Sequence, residues 1–115
     1  SLTTRMLEQS ILETAGYRVD LASSAEEGLA KARLRRYGVI LVDVEMPGMD
    51  GFGFLEALAG DPALAGTPAI LVSSRSAPED RRRGAAAGAA DYMVKGEFDQ
   101  ARLLGRIREL LRWND

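Results

Sequence analysis

Three short apolar runs, each closed by a polar residue, constrain this chain more than any other feature. VILV runs from Val39 to Val42 and meets Asp43, AILV runs from Ala69 to Val72 and meets Ser73, and YMV runs from Tyr92 to Val94 and meets Lys95. Unbroken apolar runs of this length mark strands buried on both faces. Helical patterns separate them, and strands alternating with helices argue for a parallel sheet covered on both sides. In such sheets ligands sit at the carboxyl ends of the strands. A carboxylate, a hydroxyl and an ammonium are therefore expected to converge on one sheet edge. Each residue alone reads as a loop-start group facing water; the set of three points to function.

The remaining elements follow from local signals. Thr3 and Thr4 precede a helix with Leu7 and Ile11 on one face and Gly16 as its stop. YRVDL, from Tyr17 to Leu21, alternates apolar and polar and predicts a strand with one wet face near a sheet edge. Ser24 and Glu27 form a capping-box pattern opening a helix to about Arg36. The MPGMDG loop leads into FGFLEAL, a helix ending near Gly60. Ser76 and Glu79 repeat the capping box with Pro78 in the first turn, and Gly84 and Gly88 weaken the helix that follows. A last helix runs from about Asp99 to Trp113, with Leu103, Ile107, Leu110 and Leu111 at helical spacing. The expected order is one helix and then four strand–helix pairs. A chain of 115 residues has room for one such domain, spanning 1–115.

Composition excludes several classes of function. The absence of histidine rules out a Ser-His-Asp triad, a His-ligated metal and a phosphohistidine on this chain, and the absence of cysteine rules out disulfides and thiolate chemistry. Ser73 also lacks the G-x-S-x-G context of a hydrolase nucleophile. With 17 acidic and 15 basic residues the net charge is −2, which offers no bulk attraction to nucleic acid or to an anionic membrane. The short basic runs RLRR and RRR read as solvated helix faces. No apolar run approaches the ~18 residues of a membrane span. The first ten residues lack the apolar core of a signal peptide, so a cytoplasmic domain is the expectation.

The three strand-end residues suit phosphoryl chemistry. An ionised carboxylate only accepts hydrogen bonds, an ammonium only donates, and a hydroxyl does both. Asp43 can act as a nucleophile and form an acyl phosphate. Lys95 and Ser73 can each hold one oxygen of the transferred group, where catalysis is mostly positioning and neutralisation. Mg²⁺ takes one or two carboxylates plus phosphate oxygens and water, and Asp43 suits such a ligand. Lys95, at a strand end, is expected to be exposed and to contribute little packing.

LVDVEMPGMDG, AILVSS and DYMVKG, in this order and spacing, resemble the receiver domain of two-component response regulators. The likeness covers essentially the whole chain. RMLEQSILETAGY and KGEFDQ are most similar to receivers of chemotaxis-type hybrid histidine kinases. The resemblance implies a CheY-like, flavodoxin-like fold with strand order 2-1-3-4-5. It implies that Asp43 accepts the phosphoryl group from a histidine kinase or a histidine phosphotransfer domain. The chain would then catalyse its own aspartyl phosphorylation and dephosphorylation, not a metabolic reaction. It further implies that Ser73 is the switch hydroxyl and Lys95 the phosphate contact. Tyr92 becomes the switch aromatic that turns inward on phosphorylation, and the Glu45 carbonyl a Mg²⁺ ligand. Met46 and Pro47 would shape the loop, Gly51 would begin the next helix, and the readout would be contact with an output protein or domain. Without the family, Tyr92 reads as a core aromatic with a hydrogen-bonded hydroxyl, and Asp50 reads as turn chemistry beside Gly51.

Two departures carry consequences. Lys95 is followed by Gly96 where the family usually has proline. The resemblance also aligns Ser1 just after the family's acidic pair, so the central first strand and both metal-binding acids lie outside this sequence. Omitting a strand opens a slot of about 10 Å between YRVDL and VILV. Such a gap is expected to be filled by an upstream strand, by closure of YRVDL onto VILV, or by another chain, including self-association. An open slot in a monomer is the least favoured outcome. Two readings result: a phospho-accepting receiver, or a phosphorylation-incompetent binding module with an incomplete Mg²⁺ site.

Overall fold

The computed structural model describes residues 2–46, 48–97 and 99–113, without the side chains of residues 2–5, 97 and 113. Ser1, Pro47, whose loop-shaping role is an expectation, and Phe98 of the KGEFDQ stretch lie outside the described residues. In chain order the elements are α1 (Leu2–Thr14), α2 (Ala25–Leu34), β1 (Ile40–Asp43), α3 (Gly51–Gly60), β2 (Ala69–Ser73), α4 (Pro78–Ala86), β3 (Asp91–Val94) and α5 (Gln100–Trp113). A single 3₁₀ turn, Lys95–Glu97, joins β3 to the approach of α5.

The strands form a parallel sheet in the order β1-β2-β3. All five residues of β2 are buried, as its unbroken apolar run predicts for a central strand. Side chains alternate between two cores, because successive residues of a strand face opposite sides of the sheet. Ile70 and Met93 join Leu12, Leu103, Ile107 and Leu110 beneath α1 and α5. Val42, Leu71, Tyr92 and Val94 join Leu29, Phe52, Phe54, Leu55 and Leu58 beneath α2 and α3. Leu103 and Ile107 are almost wholly enclosed, and each such side chain contributes about 1.5–3 kcal/mol relative to exposure.

YRVDL corrects the expectation of four strands. Residues 17–22 form neither strand nor helix, and among the described residues β1 pairs only with β2. A strand exists through hydrogen bonds to a neighbour, and the position next to this segment holds no strand among the described residues. Direct closure of YRVDL onto VILV is not what the chain adopts. The segment instead faces β1 across a cavity of about 290 Å³, lined by Leu12, Tyr17, Val19, Leu41, Ile107 and Leu111 among others. The slot expected to be unfavourable is therefore present in the single chain.

Local signals differ from expectation at three helix starts. In α1 the helix already includes Thr3 and Thr4, Leu7 is 52% exposed, and Leu12 takes the buried place beside Ile11. In α2 the Ser24 hydroxyl accepts the Glu27 N–H at 3.1 Å, but Glu27 bonds back to Ser23 instead of closing the box on Ser24. In α4 the cap is Ala77 with no side-chain bond, so the Ser76–Glu79 box does not form. Proline at the first turn does the work there, since its fixed φ suits the helix start and its missing N–H needs no partner. Gly84 lies where α4 meets β3; a Cβ there would stand 3.0 Å from the Tyr92 ring and 3.1 Å from Leu71.

Candidate functional site

Strand register brings the polar residues together. Asp43 pairs with Val72 across β1 and β2, and Ser73 pairs with Val94 across β2 and β3, with Lys95 next in the chain. All three strands thus end at one edge. Asp43 Oδ2 accepts a hydrogen bond from Lys95 Nζ at 2.9 Å across 52 positions of sequence. The two side chains are only 17% and 23% exposed, so Lys95 is not the exposed lysine expected from its place at a strand end. Asp43 Oδ1 accepts the Glu45 N–H at 2.9 Å. An acceptor carboxylate with its counter-charge in place is thereby held at the strand end.

Ser73 is fully buried. Its hydroxyl donates to Glu45 Oε1 at 3.1 Å and accepts the Arg75 N–H at 3.1 Å. The same Glu45 oxygen accepts the Ser74 N–H at 2.7 Å and a bond from the Ser74 hydroxyl. Burial alone would raise the Glu45 carboxyl pKa. The bonds from the Ser74 hydroxyl and N–H, from Ser73 and from its own N–H outweigh that, and hold it down at about 2. Sequence reasoning assigned Glu45 a role only through its backbone carbonyl. Its carboxylate bonds span 28 and 29 positions, and no local pattern signals them.

Tyr92 is 6% exposed, and its hydroxyl donates to the Arg75 carbonyl at 3.0 Å. The Arg81 guanidinium lies 5.5 Å from the ring centroid. The inward position implied by the resemblance is therefore occupied in the unmodified chain, in the manner of a core aromatic with a satisfied hydroxyl. Asp50 is more than a turn residue: it caps α3, with Oδ1 accepting the Gly53 N–H at 2.9 Å.

Glu8 was missed by sequence reasoning. It reaches the cavity from α1 at the same end as Asp43 and Met46. Burial first, and the Asp43 charge second, push its carboxyl from 4.5 up to about 7, with Lys95 offsetting part of the rise. The folded chain therefore binds more protons than the unfolded chain between these values, and stability falls as pH rises through that window. Glu8→Gln is expected to stabilise the chain by about 3 kcal/mol near pH 8, at 1.36 kcal/mol per unit, and hardly at all near pH 4. Urea unfolding at both pH values checks this, and an equal gain at each would refute the burial account.

The residues present do not by themselves make a Mg²⁺ cage. Among the described residues no group of three or more acidic, histidine or cysteine side chains is placed to hold a metal. Asp43 offers a carboxylate, but that of Glu45 is engaged by Ser73 and Ser74.

The response regulator receiver domain family matches residues 2–108. The chain belongs to this family. As a receiver domain of two-component signalling, it has the CheY-like doubly wound fold, here with three of the strands in the sheet. It is 43% identical over 94 residues to a gliding motility regulatory protein of Myxococcus xanthus, covering 82% of this chain but 12% of that protein. The chemotaxis protein CheY4 of Vibrio cholerae superposes with a TM-score of 0.87 at 34% identity, over 96% of this chain and 91% of that one. The receiver domain of a Pseudomonas aeruginosa sensor histidine kinase has the same fold, with a TM-score of 0.87 at 24% identity over 96% and 90% of the two chains. That receiver holds a magnesium ion in its active-site cleft. Receivers act with histidine kinases and output domains and bind Mg²⁺ in the active site. Among the described residues no helix is long and apolar enough to cross a membrane.

Proposed function

We propose that this receiver takes a phosphoryl group from a histidine kinase or histidine phosphotransfer domain onto Asp43. The reading places it in the cytoplasm, as one receiver domain signalling by contact with an output protein or domain. The observation that carries it is the Asp43–Lys95 pair at 2.9 Å, with Ser73 at the adjoining strand end. Asp43 supplies the nucleophilic oxygen. Lys95 balances charge on the transferred group, and Ser73 donates to one of its oxygens. Ser73 and Tyr92 then pass the change to the surface. The proposed ion is Mg²⁺, on Asp43 and the Glu45 carbonyl, bound weakly with one carboxylate in place. The test is incubation with a small phosphodonor and Mg²⁺ over a range of concentrations, followed by mapping of the hydroxylamine-sensitive label. The label is expected on Asp43, with a dependence on high Mg²⁺. No label at any Mg²⁺ concentration would favour a binding module that is not phosphorylated.

We also infer that the chain associates with itself through the cavity between residues 17–22 and β1. Support comes from its apolar lining and from the edge of β1 that faces it, beside which no strand lies among the described residues. Sedimentation across a concentration series is expected to show a dimer at the upper end. A monomer throughout would end this reading.

A further inference from the structure

Glu45 stands two residues past Asp43, yet its carboxylate reaches the turn between β2 and α4. There it accepts from the Ser73 hydroxyl, the Ser74 N–H and the Ser74 hydroxyl on a single oxygen. A serine hydroxyl has only one proton to donate. While that proton rests on Glu45, Ser73 has none for an oxygen carried by Asp43. The remaining contacts link this choice to Tyr92. Ser73 Oγ accepts the Arg75 N–H, and the Arg75 carbonyl accepts the Tyr92 hydroxyl. The backbone of Arg75 thus ties the serine to the aromatic ring. The N–H of Glu45 is itself bonded to Asp43, so charge added at Asp43 arises beside the segment that carries this carboxylate.

We propose that the Glu45 carboxylate is a latch: it holds Ser73 and Ser74 in the unphosphorylated arrangement until a phosphoryl group on Asp43 displaces it. The inference rests on the phospho-acceptor reading. Displacement has two causes. The phosphoryl oxygens compete for the one Ser73 proton, and their charge repels the carboxylate. Glu45 is then a positioning residue, acting on the switch through Ser73. A mere brace for the turn would be indifferent to what Asp43 carries.

The test has two arms. In the first, without ligand, the Ser74 amide proton of the 115-residue chain is followed by NMR. It is expected downfield in the native chain and shifted upfield in Glu45→Ala. In the second, beryllium fluoride with Mg²⁺ serves as the phosphoryl mimic, and its binding is measured in the native chain, Glu45→Ala, Ser73→Ala and the double variant. Glu45→Ala is expected to tighten binding about tenfold, equivalent to ~1.4 kcal/mol, and to lose that gain in the Ser73→Ala background. Beryllium fluoride is also expected to move the native Ser74 amide upfield. An unmoved Ser74 amide in Glu45→Ala overturns the latch. So does an equal gain with and without Ser73, which would show simple charge repulsion. Absence of beryllium fluoride binding in every variant, with the first arm as expected, overturns the phospho-acceptor reading and the latch with it.

Discussion

Asp43→Asn is expected to abolish phosphoryl labelling while leaving the fold in place. An amide oxygen still accepts the Glu45 N–H that Asp43 Oδ1 accepts at 2.9 Å. What it lacks is the anionic oxygen that the proposed transfer uses to attack phosphorus. It also lacks the charge that pairs with Lys95. Losing one partner of this partly buried pair costs about 1–2 kcal/mol, in the lower part of the ~1–3 kcal/mol cost of leaving a buried partner unsatisfied. For a domain of this size that lowers Tm by roughly 4–8 °C. Loss of all hydroxylamine-sensitive label, with a cooperative melt retained, is the expected pair of results. Lys95→Ala makes the contrast. It leaves Asp43 but removes its counter-charge, so labelling is expected to slow without vanishing, and its stability cost to exceed the roughly ±0.5 kcal/mol typical of an exposed lysine. Label persisting in Asp43→Asn would place the acceptor elsewhere.

Gly51→Ala is expected to be the most damaging single-methyl change in the chain. A Cβ at Gly51 would stand 2.8 Å from the Val44 Cα and 2.9 Å from the Asp43 carbonyl oxygen. Both obstacles are backbone, so no side chain can swing aside. The Gly51 N–H also bonds to the Val44 carbonyl at 3.2 Å, and this contact joins the start of α3 to the end of β1. Overpacking of this kind costs about 3 kcal/mol, a large part of a total stability of about 5–15 kcal/mol. The displaced backbone includes that of Asp43, the proposed acceptor, so labelling should slow along with the fall in Tm. Gly60→Ala is the control. It sits in the last turn of the same helix with no atom within 4 Å of the added Cβ. Alanine's better helix propensity should leave it neutral or slightly more stable. Equal melting of the two variants would refute the steric account.

The site was legible where its signal was local. Asp43, Ser73 and Lys95 each follow an apolar run, and a buried parallel strand needs little beyond its own apolarity to be recognised. The parallel sheet and its two covered faces followed from the same pattern. YRVDL failed for the opposite reason. Its alternation is a fair local sign of a strand, but a strand is completed by a neighbour's hydrogen bonds, and no strand lies beside it among the described residues. The Ser76–Glu79 pair failed in a third way, because Pro78 begins the helix one residue later than the capping box requires.

Sequence alone determined the order of the five described helices and of the three strands that form the sheet, the ends of those strands and the residue types that meet there, because these depend on runs and spacings within about ten residues. Tertiary structure alone decided which side chains answer one another. Lys95 came to Asp43 across 52 positions, and Glu45 turned its carboxylate toward Ser73 and Ser74. Glu8 reached from α1 to the Asp43 end of the cavity and was raised to about 7. Such partners are set by sheet register and by what burial does to a charge, and neither is written in the neighbours of a residue along the chain.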